Sequence, residues 1–140
     1  MSAKQIEDHV AIARAEPTTA NLKELWRAVF LLKAWYFLPG RDDEGPAYPT
    51  VSVVDGKPWV LGFTNVRRIS EFANAVGRVG ADGSVPLLVL DPKESMKHLL
   101  EAAKTVEGVI FNMNSEATFR APVKALEAYA REFGVPLDED

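Results

Sequence analysis

Apolar positions along this chain switch from a helical spacing to an alternation of two and back, and the switches mark its elements. Ile6, Val10 and Ala13 fall on one side of a helical wheel over residues 3 to 15, with Pro17 just beyond Glu16. That spacing predicts a short, weakly amphipathic helix with proline as its stop. With Thr18 or Thr19 as N-cap, residues 20 to 33 place Leu22, Leu25, Trp26, Val29 and Phe30 at the i, i+3, i+4, i+7, i+8 positions of one face. A second, stronger helix is expected there. The run Ala34 to Leu38, closed by Pro39 and Gly40, predicts a strand, because aromatic side chains fit a pleated surface. Arg41 to Pro49 mixes charges with two prolines and a glycine, which predicts a mobile polar loop.

The stretch Val51 to Ala73 is the most explicit in the chain. Val51 and Val53 alternate with Ser52 and Val54, and Trp59, Leu61 and Phe63 alternate with Val60 and Gly62, the period of two strands. Asp55-Gly56 between them predicts a tight hairpin, since a primed turn needs positive φ and this pair supplies it. Asn65 then caps a helix to about Val76, with Val66, Ile69, Phe72, Ala73 and Val76 expected to face inward. Gly77 to Pro86 reads as a glycine-rich connection and Pro86 to Leu90 as a buried strand. Asp91, Pro92 and Glu94 take the N-cap, first-turn and N3 positions of the next helix, a capping-box arrangement.

That helix is expected to bury Met96, Leu99, Leu100 and Ala103, and Gly108 precedes a further strand, Val109 to Met113. A turn at Asn114 to Glu116 leads to a brief strand over Thr118 to Arg120. Pro122 opens a last helix with Val123, Leu126, Tyr129, Ala130 and Phe133 aligned, ended by Gly134 and Pro136. The sum is an α+β fold: one domain over residues 1–140, with about five helices packed on a mixed sheet of five or six short strands. No repeat, linker or second domain is visible.

Composition narrows the function classes. The 140 residues are 47% apolar and 26% charged, ordinary values for a chain that folds around one core. Twenty acidic side chains against 16 basic ones give a net charge of -4. There is no surplus of positive charge to displace counterions, so nucleic acid is not an expected partner. The absence of cysteine removes disulfides, thiolate chemistry and the usual zinc sites. Charges interrupt every apolar run near the N-terminus, and no segment approaches the length of a membrane span. A cytoplasmic protein with no membrane partner is expected.

GKPWVLGFTNVRRISEFA together with LLEAAKTVEGVIFNMNSEATFRAPVKALEAYA resembles the SseB N-terminal domain family. In that family a hairpin ends in a Phe-Thr-Ser-like step into a helix, which Phe63, Thr64 and Asn65 match with Asn in place of Ser. A helix also leads there into a strand of Gly, three hydrophobic residues, Asn and Pro. Gly108 to Asn112 match, and Met113 stands in place of the proline. The resemblance covers about residues 22–133. It implies a small bacterial cytoplasmic α+β module with no agreed activity and no catalytic residue set to carry over.

Candidate chemistry is sparse. His98, with Glu94 four residues before and Glu101 three after, shares one helix surface with two carboxylates, although ordinary charge pairing explains the same pattern. His9 beside Glu7 and Asp8 reads the same way. Gly77, Gly80 and Gly83 leave a helix and enter a strand, the reverse of a phosphate-binding glycine loop. Asp42, Asp43 and Glu44 lack the ligand spacing of a calcium loop. Arg67 and Arg68 form a basic pair at a helix start, either a solvated face or a contact for an acidic partner. No catalytic set, metal site or cofactor is expected.

Two readings of function follow. In the first, the chain is a non-enzymatic interaction or regulatory module that binds a protein partner or itself, a homodimer included. It would use aromatic surface at Trp35 and Tyr36, because alternation sends neighbouring rings to opposite faces of a strand. Core packing of these aromatics is the competing explanation. In the second, it is a small-ligand binder with a polar cleft at strand ends, where Thr64, Asn65, Asn112 and Asn114 supply neutral hydrogen bonds.

Overall fold

The computed structural model describes residues 3–39 and 49–137, and within them a mixed sheet grows outward from one central strand. The elements in chain order are α1 (Ala3–Ala15), α2 (Thr19–Phe30), β1 (Trp35–Phe37), β2 (Val51–Val54), β3 (Lys57–Phe63), α3 (Val66–Val76), β4 (Leu88–Leu90), α4 (Pro92–Glu101), β5 (Gly108–Phe111), β6 (Phe119–Pro122) and α5 (Val123–Glu132). The fold is α+β, with five helices and a six-stranded mixed sheet. On one flank β3 pairs in parallel with β5, Val60 opposite Val109. On the other it pairs antiparallel with β2, Val51 opposite Val60, and with β1, Tyr36 opposite Phe63. β4 and β6 end the path β4-β1-β3-β5-β6, and β2 pairs with β3 alone.

β1 and β2 share one flank of β3 because the chain leaves it at Leu38 and returns at Thr50. The Leu38 carbonyl accepts from the Thr50 amide at 2.8 Å and from its hydroxyl at 2.9 Å, and Arg78 donates to the Pro39 carbonyl at 2.7 Å. The loop expected over Arg41 to Pro49 lies outside the described residues except for Pro49. Asp42, Asp43 and Glu44 lie outside them too.

Alternation along β3 sorts the core into two layers. Trp59, Leu61 and Phe63 join Leu38 and Ile110 beneath Ile69, Phe72 and Ala73 of α3. Val60 joins Trp35, Phe37, Val109 and Phe111 on the other face, under side chains from α1, α2, α4 and α5. Burying each large aliphatic or Phe side chain contributes about 1.5–3 kcal/mol, so both layers are strong anchors. They are unequal in cover: four helices on one face, one on the other. Gly108 is required by the β5–β6 pairing, because a Cβ there would stand 2.1 Å from the Ala121 carbonyl oxygen.

Local signals set the element ends. Thr18 accepts from the Asn21 amide at 3.1 Å, Asn65 from the Arg68 amide at 2.9 Å, and Asp91 from the Glu94 amide at 2.7 Å, each satisfying a donor at a helix start. Asp55 (φ 53°) and Gly56 (φ 79°) make the hairpin turn. Some expectations shift. Val66 and Val76 stand in the terminal turns of α3 and are 48% and 45% exposed, and Arg68 takes a buried place instead. α4 ends at Glu101, which leaves Ala103 exposed. β5 stops at Phe111 because Asn112 turns left-handed at φ 54°, and β6 runs over Phe119–Pro122 rather than ending at Arg120.

Candidate functional site

β3 and β5 are parallel neighbours, so their carboxyl ends reach the same edge of the sheet, where open α/β sheets hold their ligands. Thr64 follows β3 and Asn112 follows β5, and the structure brings the two together. Asn112 Oδ1 accepts from the Thr64 amide at 3.1 Å, and its Nδ2 donates to Thr64 Oγ1 at 3.1 Å and to the Ala117 carbonyl at 3.4 Å. Thr64 is 4% and Asn112 1% exposed. Asn65 lends its Oδ1 to the α3 cap, and its Nδ2 is buried with no partner among the described residues. Asn114 is exposed in the following turn at φ 64°.

The space enclosed between Arg68, Asn112 and Asn114 is about 60 Å³, far below the ~300 Å³ at which small-molecule sites begin. Asn112 spends its side-chain hydrogen bonds on the fold, and Asn65 its Oδ1 on the α3 cap. A wider groove of about 650 Å³ runs from Asn114 past Glu116 and Thr118 to Arg120.

An ionic network closes the same edge. Arg68, 5% exposed, donates from Nε to Glu7 of α1 at 2.9 Å and from Nη2 to Glu116 at 2.9 Å. Arg67 reaches Glu7 at 3.1 Å and Glu71 at 3.3 Å. Arg14 donates to the Glu116 and Thr118 carbonyls at 2.6 and 2.8 Å, which ties α1 to the β5–β6 turn. Burial works against the Arg68 charge, but the hydrogen bonds to Glu116 and Glu7 outweigh it and hold the guanidinium protonated. The hydrogen bond from Arg68 in turn holds the Glu116 carboxyl below the usual glutamate range. The basic pair faces acidic groups of its own chain. Nothing in the local sequence around Arg68 marks it as buried, because its partners lie far away in the chain.

The aromatic run divides between the two faces. Trp35 is fully buried: its Nε1 donates to the Val29 carbonyl at 2.9 Å, and its ring packs on Phe30 at 5.2 Å and Phe111 at 5.1 Å. It presents nothing to a partner, because α2 covers that face. Tyr36 points the other way, half-buried, and is paired across the strands with Val89. Leu87 and Val89, two residues apart, are 40% and 50% exposed. β4 is an outer strand, and Leu87 to Leu90 contain no charge and no proline. Sequence pattern alone reads this apolar segment as buried, since only the strand order reveals it as an edge.

No three His, Asp or Glu side chains among the described residues are placed to hold a metal ion. The glycine-rich connection closes on itself: the Ser84 amide donates to Asp82 Oδ1 at 3.0 Å and the Gly80 amide to the Ser84 carbonyl at 2.7 Å. Hydrogen bonding from Ser84 holds the Asp82 carboxyl below its usual range. Among the described residues no helix is long and apolar enough to cross a membrane. Comparison with known protein families finds no model that matches the chain, and no curated protein matches it.

Proposed function

We propose that this chain is a non-enzymatic protein-interaction module that docks a protein partner, a second copy of itself in the simplest case, on the β4 edge. The observation that carries the reading is the exposure of Leu87, just before β4, and of Val89 within it, the latter beside Tyr36, with no charge or proline in the three residues of this outer strand. Single exposed aliphatics are ordinary, but a contiguous apolar patch on an open strand edge invites a partner. Natural edges of this kind are usually blunted by lysine, proline or a bulge. An extended segment of another chain adds to such an edge through main-chain hydrogen bonds, with alternate side chains giving specificity.

Because β4 has only three residues, few main-chain bonds form, and Leu87, Val89 and Tyr36 must supply most of the contact energy. Two β4 strands paired antiparallel would give a closed twofold dimer with one continuous sheet. The ionisable groups at the strand ends, engaged with one another, favour a binding role over catalysis. The resemblance of residues 22–133 to the SseB N-terminal domain family leads to the same kind of protein, a small cytoplasmic bacterial module.

Sedimentation velocity over a wide concentration range tests this. The wild-type chain is expected to dimerise, and Val89→Lys to weaken the dimer about tenfold or more, equivalent to at least ~1.4 kcal/mol. Tyr36→Ala should act in the same direction. A chain that stays monomeric throughout, or a dimer indifferent to Val89→Lys, overturns the reading.

A further inference from the structure

Between α4 and the sheet face that carries Phe37 and Val60 lies a cavity of about 350 Å³, within the ~300–1,000 Å³ range of small-molecule sites. Phe37, Val60, Leu99 and Val106 give it an apolar lining, and Ser95 and His98 supply polar groups from neighbouring turns of α4. Ser95 is 1% exposed, and its hydroxyl has no hydrogen-bond partner among the described residues. A serine inside a helix ordinarily bonds back to the carbonyl four residues earlier or turns to water, and this one does neither. An orphaned buried hydroxyl costs stability, yet this one stands where an apolar space meets the half-buried His98.

We infer that this cavity is a binding site for a small uncharged amphiphile. An aliphatic or aromatic body would rest against Phe37, Val60, Leu99 and Val106, and one hydroxyl or amide head would bond the Ser95 hydroxyl and the His98 imidazole. The ligand is uncharged because the walls offer an anion no permanently charged partner. No lysine or arginine lines the cavity among the described residues, and Glu101 on its wall repels a carboxylate. An ammonium head has only the solvent-exposed Glu101 as a counter-charge, and a charge taken out of water beside a neutral hydroxyl is incompletely compensated. The cavity lies on the sheet face opposite Tyr36 and Val89, so the site stands independently of the β4 docking surface.

Titration of the full chain with 1-hexanol, hexanoate and hexylamine, followed by amide chemical shifts, tests the site. Hexanol is expected to give saturable shifts at residues 95–102 and at Val60 and Val106, and to bind about tenfold or more tightly than either charged analogue. Ser95→Ala, a small change that removes only the hydroxyl, should weaken hexanol about three- to tenfold, the range set by one lost hydrogen bond. Thr105 is an exposed wall residue, and Thr105→Trp should block binding without touching the core. Non-saturating or scattered shifts, hexanoate binding as tightly as hexanol, or binding that survives both substitutions unchanged would overturn the site.

Discussion

The side-chain amide of Asn112 bonds both the amide and the hydroxyl of Thr64, 48 residues away, and so ties the ends of two parallel strands together. Asn112 also holds a left-handed backbone at φ 54°, a conformation that asparagine tolerates better than other side chains. Two separable contributions meet in one residue.

Asn112→Ala should destabilise the chain by about 2–4 kcal/mol, because a buried amide at Thr64 loses its acceptor and the left-handed backbone loses its preferred residue. Asn112→Gly loses the same side-chain hydrogen bonds but relieves the backbone, so it should be the milder change by up to about 1 kcal/mol. Urea unfolding midpoints of the two variants decide this. Equal midpoints would show that the hydrogen bonds alone matter.

What could be read from the chain was what neighbours in sequence decide. The Asp55-Gly56 turn, the Asn65 and Asp91 caps and the α+β pattern rest on residues within four positions of one another. The burial of Arg68 depends on Glu7 and Glu116, which lie 61 and 48 residues away. For Trp35 the sequence left aromatic surface and core packing both open, and the structure makes it core, because α2 and Phe111 cover it. Tyr36 next to it keeps an accessible flank because its neighbour on one side is the outer strand β4, while on the other side it pairs with Phe63 of β3. Thr64 and Asn112 were legible as polar residues at strand ends, but not as each other's partners, since the parallel pairing of β3 with β5 cannot be read from either strand. No sequence pattern singles out Ser95, and only the packing of α4 on the sheet turns it inward.

The ion pairs around Arg68 should respond unequally to loss of either partner. The Arg68 side chain is 4% exposed, Glu7 27% and Glu116 79%. Glu7→Gln strips a buried guanidinium of its closest counter-charge and should cost about 2–3 kcal/mol. Arg68→Met removes the buried charge itself and leaves carboxylates that reach water, with Arg67 still beside Glu7, so it should cost about 1 kcal/mol or less. Chemical denaturation at neutral pH gives both values, and the reverse order would mean that Glu7 rather than Arg68 is the group that needs its partner.

Glu116 makes the same network sensitive to acid. Its carboxyl sits below the ordinary value near 4.5 because Arg68 donates to the ionised form, and the guanidinium stays protonated at every accessible pH. A carboxyl that is more acidic folded than unfolded stabilises the fold fully above the unfolded value. That stability is lost as the pH falls through the folded value. Wild type should therefore be more stable than Glu116→Gln at about pH 7, and the gap should begin to close below about pH 4.5 and vanish under the folded value. Glu116 is exposed to solvent, so added salt should also narrow the gap. In an Arg68→Met background the same Glu116→Gln change should have little effect at any pH. Urea midpoints of the four chains between about pH 7 and pH 3 measure this, and a gap that stays constant with pH would show that the Glu116 side chain contributes through packing or neutral hydrogen bonding rather than through its charge.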